Sequence, residues 1–490
     1  MIFIIPLIYI FFINKKIIFE KLVFSLVFSI FFVFLVSFDN INRPDAGLYH
    51  LPYISILNEN KIILGSANLH FRFGHTSILQ YLEAGFNNII FKDYGILIPK
   101  TIIFFSVCVY FLKEFYLNIN SKKSFFSIFS FLILFQILYD MNRYSYHGND
   151  IPAHLIIYFI SYFFLRNDLT KYNNFYLICL LCLYSFQIKS TSIVMLFLPI
   201  GYLIFYKKLN FLLNLKNLLL FFFITSWFIK NILVSGCVIF PIKQTCYNNF
   251  YWNSSLLPSE NDVYKVSEEN EAWAKGWPDR KNKLQGYEEY INSDWTIVWL
   301  NSHGKNVIAK KIIPLIVLIF IIYILTRRQL NNLTPYKYFF KKQIILLSIL
   351  MLGSFLWFIK FPTYRYGSSY IVGSIVISQF YFVKKFYLQN FEKKFMKILL
   401  FLLIFSITLK YIMKYEETKQ IWPNIYSFNS NSTKPKKFNE IYKNNEFLYY
   451  HTGGGELCMY SKSPCTNISV HERINLKIKK GYKIYYLEKK

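Results

Sequence analysis

The sequence predicts an all-α polytopic membrane protein of about 12 transmembrane helices, followed by a small outer β-rich module at the C-terminus. Three observations predict it. The chain is 54% hydrophobic, with 53 Phe and 40 Tyr, and its mean hydropathy of +0.31 is too apolar for a soluble enzyme. Apolar runs of about 12 to 17 residues recur along it, each needing only a few flanking residues to cross a bilayer core. Its Lys and Arg residues collect in alternate loops, the mark of cytoplasmic sidedness.

In chain order the apolar runs are 2–13, 22–36, 96–112, 125–139, 151–165, 175–186, 193–206, 218–232, 312–325, 344–359, 371–382 and 399–412. The apolar start carries neither a basic n-region nor a small-residue cleavage site, so it reads as a span and not as a removable signal. Loops with Lys15/Lys16, Lys122/Lys123, Arg166/Lys171, Lys207/Lys208, Arg327/Arg328 and Lys384/Lys385 have few acids and are assigned to the cytoplasm. The alternate segments 38–95, 142–150, 187–192, 236–306 and 362–370, with the tail, then face outward together. An even number of spans puts both termini outside. The expected division is a transmembrane domain over 1–414, with outer loops 38–95 and 236–306, and an extracytoplasmic module over 415–490. A formal charge of +28 lies in short clusters between apolar blocks, which points to anionic membrane lipids and not to nucleic acid.

The cysteines follow the same sidedness. Cys237 with Cys246 and Cys458 with Cys465 fall in outer segments at spacings that close small loops, as disulfides do in oxidising compartments. Cys108, Cys179 and Cys182 lie within spans and read as buried small side chains. In the tail, strand-like alternation covers 446–451, 457–460 and 474–488, the last broken at Lys480-Gly481 as a hairpin would be.

Three polar clusters stand at the outer ends of spans. The first holds Asp45, Tyr49, His50, Asn68, His70, Arg72 and His75. Asp45 reads either as a helix N-cap or as a carboxylate able to take a proton, and Arg72 as a phosphate ligand. The second runs from Asn142 to Pro152 and offers Arg143, His147 and Asp150, with His154 a turn further on. Asp150 beside Pro152 suits helix capping, a second carboxylate or a metal ligand. The third is Pro362-Thr363-Tyr364-Arg365-Tyr366, where Arg365 has no acidic neighbour in sequence and must find its partner elsewhere in the fold or in an anionic ligand. Five of the 8 Trp (Trp252, Trp273, Trp277, Trp295 and Trp299) stand in the long outer loop, where interfacial anchoring competes with sugar stacking. No P-loop, HExxH or zinc-spaced Cys/His set occurs, which disfavours an ATP-driven pump or a zinc protease.

With these clusters in order, the layout resembles the GT-C class of integral membrane glycosyltransferases. The resemblance rests on Asp45-Ala46-Gly47-Leu48-Tyr49-His50, Gly65-Ser66-Ala67-Asn68, Arg72-Phe73-Gly74, Asp150-Ile151-Pro152, the segment from Ser235 to Pro241, and Pro362-Thr363-Tyr364-Arg365-Tyr366-Gly367. The strings GLYH and NLHFRFG look like those of a bacterial group assigned to that class. It implies a polyprenyl-phosphate-linked sugar as donor, a lipid or cell-envelope glycan as acceptor, and a bacterial inner-membrane protein with its active site facing the periplasm. Asp45 would deprotonate the acceptor, with Asp150 as a second acidic residue. Tyr49, His50, Asn68, His70, Arg72, His75, His147, Arg365 and Tyr366 would bind substrate. Many members carry a second acid directly beside the first, where this chain has Ala46. No cofactor is identified, and that departure leaves use of a divalent metal open. An O-antigen polymerase or ligase, using a diphosphate donor, and a transporter or flippase of lipid-linked glycans are the alternatives. The glycosyltransferase reading requires Asp45, Arg72 and Arg365 to converge at one rim of the bundle.

Overall fold

Every apolar run from residue 96 onward coincides, over its described residues, with a helix in the computed structural model, which describes residues 45–120, 124–140, 148–247, 249–253, 263–280, 286–326, 337–379, 390–413, 438–453, 456–468 and 473–487. The runs 2–13 and 22–36, and His147, lie outside the described residues. A wide π-type turn, Ala46–His50, leads into α1 (Leu51–Glu59). Then comes α2 (Ile78–Phe86), opened by a reciprocal Ser77/Gln80 capping box. The bundle follows with α3 (Ile98–Asn118), α4 (Ser124–Tyr139), α5 (Asp150–Arg166) and α6 (Tyr172–Ile188). Next are α7 (Phe197–Phe205), entered through a 3-10 segment Ser190–Leu196, and α8 (Asn217–Ser235). The long loop carries α9 (Val263–Ala274) and α10 (Tyr287–Asn292). The last helices are α11 (Thr296–Leu325), α12 (Lys337–Lys360), α13 (Tyr364–Gln379) and α14 (Asn390–Met413).

Among the described residues, four helices are by themselves long and apolar enough to cross a membrane: Lys92–Asn118, Asn217–Ser235, Thr296–Leu325 and Phe340–Lys360. Others are shorter. With 16 residues each, α4 and α13 rise about 24 Å against a hydrocarbon core of about 30 Å.

Burial sorts the helices into two groups. α4 is apolar on every side and buried along its length, with Phe129, Phe131 and Ile133 fully enclosed. Around the buried Tyr162 of α5, the rings of Phe111, Phe126 and Phe129 stand edge-on with centroids 5.4–5.5 Å away, an arrangement that adds about 0.5–1.5 kcal/mol per pair beyond area burial. By contrast α8, α11, α12 and α14 leave Phe221, Phe320, Phe355 and Phe401 exposed. Those faces are the ones a bilayer would cover.

The C-terminal module consists of β1 (Phe438–Lys443), β2 (Glu446–Thr452), β3 (Cys465–Thr466), β4 (Ile474–Lys479) and β5 (Tyr482–Leu487). β1 and β2 form one hairpin and β4 and β5 another. Each turns through two residues of positive φ, Asn444-Asn445 and Lys480-Gly481. β3 runs parallel beside β2. The segment 457–460 is not the expected strand. It lies instead on the turn at Gly47, whose carbonyl accepts from the Met459 amide at 3.0 Å, and the Cys458–Cys465 disulfide closes the loop behind it. The Cys237–Cys246 disulfide is also formed, and Cys108, Cys179 and Cys182 are free thiols.

This module and the loop after α1 share one core. Tyr53, Leu69 and Phe73 pack with Leu448, Ile474 and Tyr485, and Leu64 pairs with β5 through Leu64 N–H to Lys483 O (3.0 Å) and Tyr485 N–H to Leu64 O (2.9 Å). Gly65 makes the approach possible: its φ is +68°, and an added Cβ would meet the Tyr485 carbonyl at 2.2 Å and Trp252 Cβ at 2.5 Å. Gly65→Ala is therefore expected to cost about 1–3 kcal/mol, read as a lower melting midpoint and faster proteolytic release of the module. Gly85→Ala, where a Cβ meets nothing within 4 Å, should leave both unchanged.

Candidate functional site

Asp45 stands at the head of the Ala46–His50 turn, yet its side chain makes no capping hydrogen bond. Its two oxygens go to two arginines instead. Arg72 Nη1 donates to one at 3.3 Å and Arg365 Nη1 to the other at 2.9 Å. Arg72 rides on the 3-10 turn Phe71–Gly74, whose first residue is preceded by His70; the His70 Nδ1 accepts from the Arg72 amide at 3.1 Å. Arg365 is the second residue of α13 and is fixed through its backbone. His154 Nε2 donates to the Arg365 carbonyl at 2.8 Å, which leaves Nδ1 to accept from the Ser369 hydroxyl at 2.7 Å. The guanidinium also donates to the Tyr366 hydroxyl at 2.8 Å and comes within 4.0 Å of Asp150. Asp150, at the start of α5, is ion-paired with Lys189. Arg365 thus bridges both carboxylates that the sequence singles out.

Burial would raise the Asp45 carboxyl, but Arg365 and then Arg72 outweigh it and hold the group below the usual carboxylate range. It is ionised at neutral pH. Burial, reinforced by Arg72, pushes both His70 and His75 down to about 3, so both rings are neutral. Burial, helped by the Asp45 charge, keeps Tyr49 a phenol well above its ordinary value, and its ring lies 5.5 Å from the Arg72 guanidinium carbon.

Most of these groups line a cavity of about 640 Å³. Asp45, Tyr49, His50, Arg72, His75, Asp150, Arg365 and Tyr366 all face it, as do Asp140, His154, Lys189, Glu271 and Lys360. Apolar side chains line it too, among them Phe186, Ile193, Val194, Trp227, Leu356 and Trp357. The disulfide-closed hairpin contributes Ile239, Phe240 and Ile242, and the Phe240 ring packs edge-on to His75 at 5.1 Å. Lining segments come from the loop after Asp45, the end of α4, the start of α5, the end of α6 and the turn before α13. All are segments that the charge pattern assigns to the outer side.

Asn68 and His70 lie outside the lining. Asn68 is buried and donates to the backbone carbonyls of Trp252 and Tyr485 at 3.1 and 3.0 Å, while His70 caps the turn that presents Arg72. The five loop tryptophans do not face the cavity either; its indoles are Trp227 and Trp357. The sequence reading passed over Asp140 and Lys189. Asp140 is 7% exposed. It accepts from Tyr364 Oη at 2.8 Å and Gln136 Nε2 at 2.5 Å, and pairs with Lys311. Both residues had a signal: each is a single charge abutting the outer end of an apolar run. Among the described residues, no three His, Cys, Asp or Glu side chains are grouped to hold a metal ion.

The arrangement can bind an anion at Arg365 or Arg72, hold an apolar chain against its apolar lining, and offer Asp45 as an ionised acceptor of a proton. No curated protein and no solved structure matches the chain. A family model described as a domain of unknown function, DUF8201, matches residues 1–372. That stretch is most of the chain and holds Asp45, Arg72, Asp150 and Arg365, and the chain belongs to this family.

Proposed function

We propose that this protein is a membrane glycosyltransferase, moving a sugar from a polyprenyl-phosphate-linked donor to a cell-envelope glycan or lipid acceptor. The observation that carries the reading is the Arg72–Asp45–Arg365 group, set in a cavity lined by both charged and apolar side chains. In this reading about twelve helices cross the bacterial inner membrane, the runs 2–13 and 22–36 among them. The cavity then opens to the periplasm. Both disulfides lie at that end, and such bonds persist in oxidising compartments, which supports the orientation.

The chemistry follows from the charges. The acceptor oxygen attacks the anomeric carbon on the face opposite the phosphate; the bond from carbon to phosphate oxygen breaks, its electron pair staying with the lipid phosphate. The acceptor proton passes to the Asp45 carboxylate, and the anomeric configuration inverts. Arg365 and Arg72 stabilise the charge growing on the phosphate. Because phosphate leaves readily, no acid is needed to protonate it, unlike in glycosidases. The hydroxyl becomes acidic as it bonds to an oxocarbenium-like carbon, so a carboxylate of modest basicity accepts its proton once the donor phosphate draws on the arginines. Asp150, itself paired with Lys189, attracts the Arg365 guanidinium from 4.0 Å. A transporter has less support: the charged groups buried in the helices, Glu114, Asp140, Lys342 and Glu392, cluster near helix ends and not at their middles.

Asp45→Asn is expected to lower sugar transfer in isolated membranes by about 10²- to 10⁴-fold, with insertion and melting midpoint kept. Full activity in that variant removes Asp45 from the mechanism. The pH profile gives a separate check. A carboxyl held below its ordinary 3.8 stays ionised as pH falls, and rings at about 3 stay neutral, so none of these groups gives kcat/KM an acid limb between about pH 5 and 8. An acid limb near pH 6.5 that moves when Asp45 is changed to Glu would contradict the ionised clamp.

A further inference from the structure

Around the cavity, among the described residues, every lysine and arginine named below but one stands beside a carboxylate, some of them sharing it. Arg72 and Arg365 meet Asp45, Lys189 meets Asp150, Lys360 meets Glu271 and Lys311 meets Asp140. Lys230, little more than a turn before the end of α8, has no carboxylate in ion-pairing range among the described residues. One of its N–H groups donates to the Thr76 hydroxyl. The others have only ring faces: the ammonium lies 3.4 Å from the Trp227 centroid and 5.8 Å from that of Tyr81. Thr76 and Trp227 both line the cavity, and Lys230, not itself one of the lining residues, stands directly behind them.

The surroundings make this placement unusual. α8 carries exposed Leu219, Phe222 and Ile229, the kind of face that lies against lipid. An ammonium on such a helix ordinarily snorkels past the last turn into water. Lys230 turns the other way, inward onto an indole, where cation–π attraction offsets only part of the lost hydration. Ionisable groups in spans that face a cavity mark substrate or ion pathways. What is missing beside Lys230 is an anion, and the apolar lining next to Trp227 calls for one attached to an apolar chain. Arg72 and Arg365 share the single charge of Asp45, so the group stays net positive towards an anion, and Lys230 adds to that charge.

We infer that Lys230 and Thr76 form the binding site for a phosphate monoester, the headgroup of a lipid whose chain runs along the apolar lining. This rests on the reading that the cavity takes a lipid phosphate and adds a residue to it that none of the three polar clusters contains. Lys230 supplies an unpaired positive charge, the Thr76 hydroxyl turns from accepting the ammonium to donating to a phosphate oxygen, and Trp227 bounds the site on its apolar side. Arg365 remains at the other end of the phosphate, towards Asp45.

The test is calorimetric titration of the full-length protein in detergent micelles with farnesyl phosphate, inorganic phosphate and farnesol. Farnesyl phosphate should bind the native protein, and farnesol should not. Inorganic phosphate binding as tightly as the ester would assign the same site to free phosphate and remove the lipid. Lys230→Met is expected to weaken farnesyl phosphate about ten- to a hundredfold, and Lys230→Arg to preserve it within about threefold. If Lys230→Met does not fold, Thr76→Val carries the same expectation at about three- to tenfold. Unchanged affinity in the Met variant, or in the Val variant where only that one folds, overturns the assignment while leaving the lipid-phosphate cavity in place. Native protein that binds no farnesyl phosphate overturns both.

Discussion

One carboxylate is shared between two arginines that come from distant parts of the chain. Asp45, Arg72 and Arg365 come from the turn before α1, the loop before α2 and the start of α13. Stability does not explain the grouping. The side chains of Asp45 and Arg365 are 31% and 45% exposed, and ion pairs that open to solvent contribute about 0–1 kcal/mol. What holds the outer loop in place is the shared core of Tyr53, Phe73, Tyr449 and Tyr485 and the pairing of Leu64 with β5. The ion group is thus held by its surroundings and does not hold them. Charges kept in position at a cavity by a scaffold that does not need them are the ordinary condition of a binding or catalytic site.

The scaffold has two tiers. Below, the enclosed aromatic packing of α3 to α5 fixes where α5 and α13 begin, and His154 transmits that position to the Arg365 carbonyl. Above, the C-terminal strands fix the loop that bears Arg72. Gly65 and Asn68 act at the joint, one by admitting the Tyr485 backbone and the other by donating to it. His70 then orients Arg72 from one residue pair away. The module after residue 437 therefore helps to set the geometry of a cavity whose lining residues all precede residue 371.

Much of this was legible in sequence because it depends on local chemistry. Apolar runs gave the helices from residue 96 onward, alternating cations put the cavity's segments on one side, and paired cysteines at short spacing found their bonds. The Lys480-Gly481 break marked a hairpin because both residues adopt positive φ there. What was not legible depends on distant partners. Asn68 and His70 look like ligand contacts in a dense polar loop, yet Asn68 is consumed by a carbonyl 417 positions away. Segment 457–460 has the alternation of a strand but spends its amide on Gly47. Asp140 abuts the end of an apolar run, and only the fold brings Tyr364 and Lys311 onto it. For Arg365 the sequence established that a partner was needed, and the fold supplied which one.

The charge pattern has a consequence for how the proposed reaction would begin. In the structure as it stands, Asp45 is a poor base because two guanidinium groups hold its proton affinity down. A lipid phosphate arriving at Arg365 brings more negative charge than one carboxylate, and the arginine's exposed fork can turn to meet it. As that happens, Asp45 loses its stronger partner and its affinity for a proton rises. On the proposed reading, then, the donor itself would make the base competent, and in the empty cavity Asp45 would stay locked. Lys230 fits the same logic from the other end: a phosphate already neutralised there would draw less on Arg365, so the balance between the two cations would set how far Asp45 is released.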